Sequence, residues 1–435
     1  MKYFLTLIQL WVGFLSICAS YPKANIWIIP SVESPQVYRN YAQTSKVHLE
    51  MARGEVEHIQ LVFPSKVNEE YRFTFDRYLK GIQISARELK KMNGYYDALV
   101  PFKNQLKCTD TLTAVWITVQ CPSRVPVGKY HQTIKIEGSK HFTIQLDYNV
   151  HHTTIPLKSS IPITVGVENR CMTEGLNDKE ADKERQRWVD FVLSYRMTPV
   201  FGTQITPERW QYEHSFSPWA WNDKRSIRLL NDRRYSCYML PFFTLSENEL
   251  ASLLCNIQKK GKLKESLFYI WDEPAYMEDY EQIKRKVNII RKYASDARIL
   301  TTFFCGPRNG PRKGDLYAVF DYLKHHIHVA TISLAPCKGN EEEVQHIRYK
   351  VPEGIDWWSY VCWQPGGNEP NFLLQMKGIQ QRAIMWRTWK NGSQGFLYWN
   401  CNIYHKRNPF TYITDMPHGD GILIYPGDIL GCRSE

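Results

Sequence analysis

FYIWDEPAY, residues Phe268 to Tyr276, ends an uncharged apolar run with two neighbouring carboxylates and a proline. Side chains that are adjacent on a strand point to opposite faces, so Asp272 and Glu273 cannot both serve one site on regular pleating. Two explanations compete on spacing alone. One is an acidic turn that opens a helix over 277–294, where acids suit the N-terminus. The other is a catalytic pair at a strand end, with partial desolvation raising a carboxyl pKa. Pro274 biases Glu273 toward an extended conformation.

Outward from this stretch, strand-like runs alternate with helical periods. The runs cover residues 161–167, 198–205, 236–243, 265–274, 297–305, 327–336, 355–363 and 394–404. SENELASLLCNIQKKG is the clearest helix between them. It opens with a capping box of Ser246 and Glu249, spaces Leu250, Leu253, Leu254 and Ile257 helically, and stops at Gly261. Eight strands with intervening helices have the rhythm of a (β/α)8 TIM-type barrel, and FYIWDEPAY is then its fourth strand end. A doubly wound open sheet has the same rhythm. Residues 23 to about 156 differ. Short runs such as VEHIQLVFPS, TAVWITVQCP and GKYHQTIKIEG, separated by Gly, Pro and Lys turns, suggest a β-sandwich. The expected domains are therefore a signal peptide at 1–20, a β-sandwich at 21–156 and a barrel domain at 157–435.

The chain has 435 residues, 43% hydrophobic, which is ample for a large core. Its 14 Trp and 26 Tyr suit either a sugar cleft or a large core. Lys2 and the apolar run from Phe4 to Ile17, followed by Cys18-Ala19-Ser20, read as a signal peptide. Removing it takes the net charge from +11 to +10 and leaves no further membrane segment in the sequence. The expected location is secreted or the secretory lumen, lysosomes included. Basic residues are scattered, as on the solvated face of IKRKVNIIRK, whose buried face is Ile283, Val287 and Ile290, so nucleic acid is not an expected partner. Ten Cys remain, and their pairing stays open. Cys108 and Cys121 are spaced to pair, and buried thiols fit the others equally. Without any C-x-x-C, a structural zinc site is not expected. Asn391-Gly392-Ser393 is a glycosylation sequon, expected on a surface loop.

Five segments together carry a resemblance: ARGEVEHIQLVF (52–63), YIWDEP (269–274), WWSYVCWQP (357–365), RAIMWRTWKNGSQGFLYW (382–399) and GDGILIYPG (419–427). The chain resembles glycoside hydrolase family 123, the β-N-acetylgalactosaminidases and their relatives, over most of residues 50–427. The resemblance implies a β-sandwich followed by a (β/α)8 catalytic domain. It also implies substrate-assisted retaining hydrolysis, an exception to the two-carboxylate pattern. The substrate's own 2-acetamido oxygen attacks the anomeric carbon. Glu273 protonates the leaving oxygen and later deprotonates water, and Asp272 accepts the acetamido N–H. For both acids to reach one sugar, the chain near Asp272 should leave regular pleating by a bulge or strand end. Tyr360 is a candidate donor to the acetamido oxygen. Trp271, Trp358 and Trp399 are candidate walls, Asn402 a hydroxyl partner, and Arg170 a further binding residue. The partner is a glycan or glycolipid, and no cofactor or metal is required.

His325, His326 and His328 lack an acid or Cys at ligand spacing and read as a helix end. The Gly- and Pro-rich loop 306–315 falls on the expected active face and lacks a phosphate-loop motif. Only eight residues follow Gly427, so the expected barrel lacks its last helical cover, which bears on activity. The rival readings are a catalytically impaired carbohydrate-binding protein on the same scaffold and a basic protein adhering to anionic surfaces.

Overall fold

The computed structural model describes residues 26–76, 81–206, 211–304, 308–309, 313–335, 349–404 and 416–427. Residues 1–25, which hold the expected signal peptide, lie outside the described residues, as do Cys305, Cys337 and Cys432. Among the described residues, no helix is long and apolar enough to cross a membrane. The chain divides into two compact units between Ile155 and Pro156.

The first unit has ten strands: β1 (Trp27–Pro30), β2 (Lys46–Arg53), β3 (Val56–Pro64), β4 (Glu70–Phe75), β5 (Gln83–Met92), β6 (Tyr95–Pro101), β7 (Gln105–Lys107), β8 (Leu112–Gln120), β9 (Gly128–Glu137) and β10 (His141–Thr154). They form two five-stranded sheets, ordered β1-β3-β8-β5-β6 and β2-β10-β9-β4-β7. Burial alternates along β9 and β10, so Ile134, Ile136, Ile144, Leu146 and Val150 turn inward. They meet Leu61, Phe63, Val115 and Ile117 of the other sheet in one core. Period-2 patterning thus forms the two-layer arrangement, each sheet giving one apolar face. Cys108 and Cys121 are both buried free thiols, which corrects the pairing suggested by their spacing.

The second unit carries β11 (Ile163–Glu168), α1 (Asn169–Thr173), α2 (Asp178–Ser194), β12 (Thr198–Thr206), β13 (Gln211–Ser215), α3 (Lys224–Leu229), β14 (Tyr238–Met239) and α4 (Glu247–Lys259). It continues with β15 (Ser266–Trp271), α5 (Met277–Arg291), β16 (Arg298–Phe303), α6 (Leu316–Leu323), β17 (Val329–Ser333), β18 (Asp356–Val361), α7 (Gly378–Lys390) and β19 (Gly395–Tyr398). The nine strands form one sheet in the order β13-β12-β11-β19-β18-β17-β16-β15-β14. All neighbours pair in parallel except β13, which returns antiparallel along β12. Phe216 N–H donates to Met239 O at 2.7 Å, which joins the end of β13 to β14 and nearly closes the sheet into a barrel. Each of the eight expected runs holds one parallel strand. The hairpin strand β13 was not expected. The run at 236–243 shortens to β14, since Pro241 cannot donate to a ladder.

Two apolar layers follow from the alternation. Val200, Met239, Leu267, Leu300, Val329, Trp358 and Leu397 fill the interior. Phe268, Ile270, Ile299, Ile332, Trp357 and Phe396 face the helices, with Ile283, Val287 and Ile290 of α5 and the four predicted residues of α4. After β19, no α-helix occurs among the described residues, and residues 405–415 and 428–435 lie outside them.

One correction concerns α7. Asn391 is buried at its C-terminus, and the Ser393 hydroxyl is enclosed, donating to Gly395 O at 2.9 Å and meeting Ser359 Oγ at 3.0 Å. The sequon is therefore not on a surface loop. Helix α4 holds its predicted capping box: Ser246 Oγ accepts from Glu249 N–H at 3.3 Å, and Ser246 N–H donates to Glu249 Oε2 at 2.9 Å. Replacing Ser246 by Ala should lower stability by about 1 kcal/mol, roughly 2–4 °C in melting temperature. A thermal melt unchanged in Ser246→Ala would contradict that value.

Candidate active site at the end of strand β15

The pairing of β15 with β16 skips a residue. Tyr269 stands opposite Leu300 and Trp271 opposite Thr301, so the strand bulges at Ile270. A bulge reverses the facing of everything after it. Tyr269 still points into the barrel, Trp271 turns to the helix-side core, and Asp272 comes back beneath the Tyr269 hydroxyl. The next residue completes the turn. Glu273 has φ +43°, in the left-handed region that costs an L-residue roughly 1–2 kcal/mol. The extended conformation expected before Pro274 is thus not adopted. The Glu273 N–H donates to Thr302 Oγ1 at 2.9 Å, which holds the unfavourable torsion in place.

The same loop decides between the two explanations of the acids. The N–H groups of Ala275 and Tyr276 donate to Asp279 Oδ2 at 3.0 and 2.9 Å, and that of Met277 donates to Asn309 Oδ1 at 2.8 Å. Helix α5 is therefore opened by Asp279 and Asn309, and neither Asp272 nor Glu273 caps it. Asn309 belongs to the Gly- and Pro-rich loop, whose Arg308 N–H also donates to Ala275 O at 2.7 Å. Residues 305–307 and 310–312 of that loop lie outside the described residues.

The two carboxylates have different surroundings. Asp272 Oδ1 accepts from Tyr269 Oη at 2.7 Å and from Thr302 Oγ1 at 2.8 Å. With both hydroxyl protons spent there, the 3.0 Å approach of Tyr269 Oη to Thr302 Oγ1 carries no proton of its own. Asp272 is thereby fixed as an acceptor with Oδ2 left over. Glu273 Oε1 accepts from the buried Tyr360 hydroxyl, which crosses the barrel from β18. Crowding by protein, and then the charge of Asp272, push the Glu273 carboxyl up to about 7, while the Tyr360 hydrogen bond pulls the other way. Glu273 as a residue is exposed, so water at its open side screens part of this effect. His214 on β13 stacks on Tyr269, with ring centroids 4.2 Å apart. Burial holds its pKa down to about 3, so it is neutral near pH 7.

The other predicted site residues separate. Tyr360 joins the acids, its hydroxyl donating to Glu273 Oε1. Trp271 packs on the helix-side core under Lys286, 5.9 Å from its ring, away from the barrel interior. Trp358 is buried deep in the interior, where a Cβ on Gly395 would come within 2.3 Å of its indole, so it is packing and not an open wall. Asn402 is fully buried and braces strand ends: its Oδ1 accepts from Glu168 N–H at 2.8 Å and its Nδ2 donates to Glu168 O at 3.2 Å. Arg170 is exposed on α1 beside Glu168. Trp399 remains part-exposed at the rim, its Nε1 donating to Asp420 Oδ1 at 2.8 Å. Tyr269, Thr302 and His214 are site residues that the sequence did not disclose. Among the described residues, no three His, Cys, Asp or Glu side chains are grouped to hold a metal ion.

Residues 183–434 match the family model described as glycoside hydrolase 123, catalytic domain. Among solved structures, the chain is similar to a family 123 glycoside hydrolase from Clostridium perfringens, studied for the details of glycolipid glycan hydrolysis. The TM-score is 0.62 at 14% identity, covering 92% of this chain and 83% of that one. At that identity the likeness bears on the fold alone. An FMN-binding β-glucuronidase from Facaelibacterium prausnitzii matches with a TM-score of 0.34 at 10% identity, covering 93% of this chain and 59% of that one. A family 2 glycosyl hydrolase from Bacteroides cellulosilyticus matches with a TM-score of 0.33 at 11% identity, covering 80% and 44%. No curated protein matches the chain.

The raised pKa of Glu273 has a stability consequence. Its folded-state value lies above the ordinary 4.5, so the protonated form favours the fold. That contribution is complete below about pH 4.5 and is lost as pH rises toward about 7. Glu273→Gln removes the dependence. Its melting temperature should gain on the parent's between about pH 5 and about pH 8. A difference that stays constant across that window would refute the assignment.

Proposed function

The chain belongs to glycoside hydrolase family 123, whose catalytic-domain model matches more than half of it, and from that premise we propose that it is a retaining, substrate-assisted β-N-acetylhexosaminidase. Its preferred sugar is terminal β-linked N-acetylgalactosamine on glycans or glycolipids. We read the nearly closed sheet as a (β/α)8 barrel, the two units as a β-sandwich and a catalytic domain, and the location as the secretory lumen or outside the cell. The observation that carries the reading is the contrast between neighbouring acids: Asp272 locked as an acceptor, Glu273 with its pKa pushed up to about 7.

Each group then has a task. Asp272 Oδ2 accepts the acetamido N–H and turns the acetamido oxygen toward C1. That oxygen attacks C1, the glycosidic C–O bond breaks, and Glu273 gives its proton to the departing oxygen. The oxazolinium so formed has its positive charge offset by Asp272. Water then attacks C1 while Glu273 takes its proton, the C1–O bond to the acetamido oxygen breaks, and the sugar leaves with its β configuration. Holding the nucleophile on the substrate gives it a high effective concentration. Tyr360 orients the Glu273 carboxyl throughout.

Chromogenic β-N-acetylgalactosaminides and β-N-acetylglucosaminides test this directly. Glu273→Gln should lose roughly 10²- to 10⁴-fold in kcat/KM, and much less on a dinitrophenyl substrate whose leaving group needs no proton. Equal losses on both leaving groups would remove Glu273 as the acid. The parent's kcat/KM should fall as pH rises through about 7, where Glu273 loses its proton. The Tyr360 hydrogen bond lowers the Glu273 pKa, so Tyr360→Phe should move this alkaline limb to higher pH. A shift to lower pH would contradict the assigned role.

A further inference from the structure

The outer face of α7 is apolar where a surface helix is ordinarily polar. Its inner face is set by Ile384 and Thr388, both fully buried, with Ile384 in the helix-side core and Met385 packed against that core. Residues three and four apart share a helix face, so the opposite stripe runs through Ile379, Arg382, Trp386, Trp389 and Lys390. That stripe is open to solvent: Ile379 is 53% exposed and each Trp 68%. The two indoles lie together, with ring centroids 6.5 Å apart and planes at 87°. From Ile379 to Trp389 the stripe extends about 15 Å along the helix. Its first turn is tied to the loop leaving β18, since Gln380 Nε2 donates to Gly367 O at 2.9 Å.

Two indoles and an isoleucine on the solvent side of a packed helix form an exposed apolar patch, and such patches mark a surface that another body covers. The charge around them says which body. Arg382 lies within the stripe, Lys390 ends it and Lys377 precedes it, and all three are exposed. The helix has no acid, and no Asp or Glu intervenes between Glu369 and Asp415 in the sequence. Glu369 is itself paired with Arg387 at 2.6 Å. A second copy of this chain would bring the same positive charges against themselves, which disfavours a symmetric dimer through this face. An anionic lipid surface satisfies both halves of the pattern. Indole rings are amphipathic and settle at the level of the headgroups. Lys and Arg are drawn toward acidic lipids. Binding of this kind grows with the apolar area buried and with the charge attraction together.

We propose that α7 is an interfacial anchor: Ile379, Trp386 and Trp389 enter the headgroup region of an anionic membrane, and Arg382 and Lys390 contact its acidic headgroups. The helix does not cross the bilayer. It lies in the interface plane with its inner face still packed on the sheet. The anchor stands whether or not Asp272 and Glu273 hydrolyse a glycoside. Docking through α7 keeps the chain at a surface where glycolipid headgroups are displayed.

Vesicle co-sedimentation of the full chain tests this, with phosphatidylcholine vesicles and with vesicles holding about one-third phosphatidylserine. The parent should bind the acidic vesicles far better than the neutral ones, and its binding should weaken as salt rises. Trp386→Ser and Trp389→Ser should each lower the partition roughly 10-fold, a factor that needs only about 55 Å² of apolar surface withdrawn from water. Arg382→Glu should lower it on acidic vesicles alone. All three residues are exposed, so the variants should melt as the parent does. No vesicle binding by the parent overturns the proposal. Binding that survives undiminished in the double Trp variant, or in Arg382→Glu, overturns it as well and assigns the attraction to overall positive charge. Trp-dependent self-association without vesicle binding gives the face to a second copy, and Trp-dependent heparin retention without vesicle binding gives it to a sulfated glycan; either overturns the lipid assignment. Activity on a soluble aryl glycoside separates this inference from the proposed function. Vesicle binding without turnover keeps the anchor and removes the hydrolase, and turnover without vesicle binding does the reverse.

Discussion

The hydrogen bonds of Thr302 are the constraint on which the site depends. Its hydroxyl accepts from Glu273 N–H and donates to Asp272 Oδ1, so one side chain on β16 fixes both acids of β15. Without it, the left-handed Glu273 would have no compensation and Asp272 would lose one of its two donors. The bulge at Ile270 is the other half of the same device. It lets Tyr269 and Asp272, three apart, share an interior face that regular pleating would deny them. Strand irregularity and hydroxyl bonding together convert adjacency in sequence into convergence in space.

The contrast between the acids follows from what each touches. Asp272 takes two hydroxyl protons on Oδ1, an arrangement that restricts its approach to a ligand to Oδ2. Glu273 takes one, from Tyr360, and otherwise meets crowded protein and a neighbouring negative charge. Raising one of two neighbouring acids toward neutrality is a usual physical basis for an acid role beside an acceptor. The neutral His214 stacked on Tyr269 adds no positive charge that would undo the division.

Much of the scaffold was legible in sequence because burial patterns are local. The eight runs, the α4 cap and the buried faces of α4 and α5 all follow from spacing within one element. The β13 hairpin was not, since QYEHS has no apolar period. Two of the three wall candidates, Trp271 and Trp358, lie elsewhere for a shared reason: facing depends on register. Trp271 is displaced by a bulge that no spacing announces, and Trp358 by the alternation that sends it inward beneath Tyr360. Asn402 lies beyond a strand end, where spacing points equally to a ligand, yet its amide pairs with the neighbouring strand's backbone at Glu168. The acids themselves were ambiguous until Asp279 and Asn309 were seen to cap α5, because capping and catalysis use the same residue types at the same place.

The two strand ends hold their acids in different ways. Near β15 the chain accepts strain, with Glu273 itself in the left-handed region. Near β19 it uses glycine on both sides of Asp420, so the acid needs no unfavourable torsion of its own. The first solution requires a dedicated partner, Thr302, and fixes the direction of two groups at once. The second fixes one group and leaves its free oxygen without a partner among the described residues.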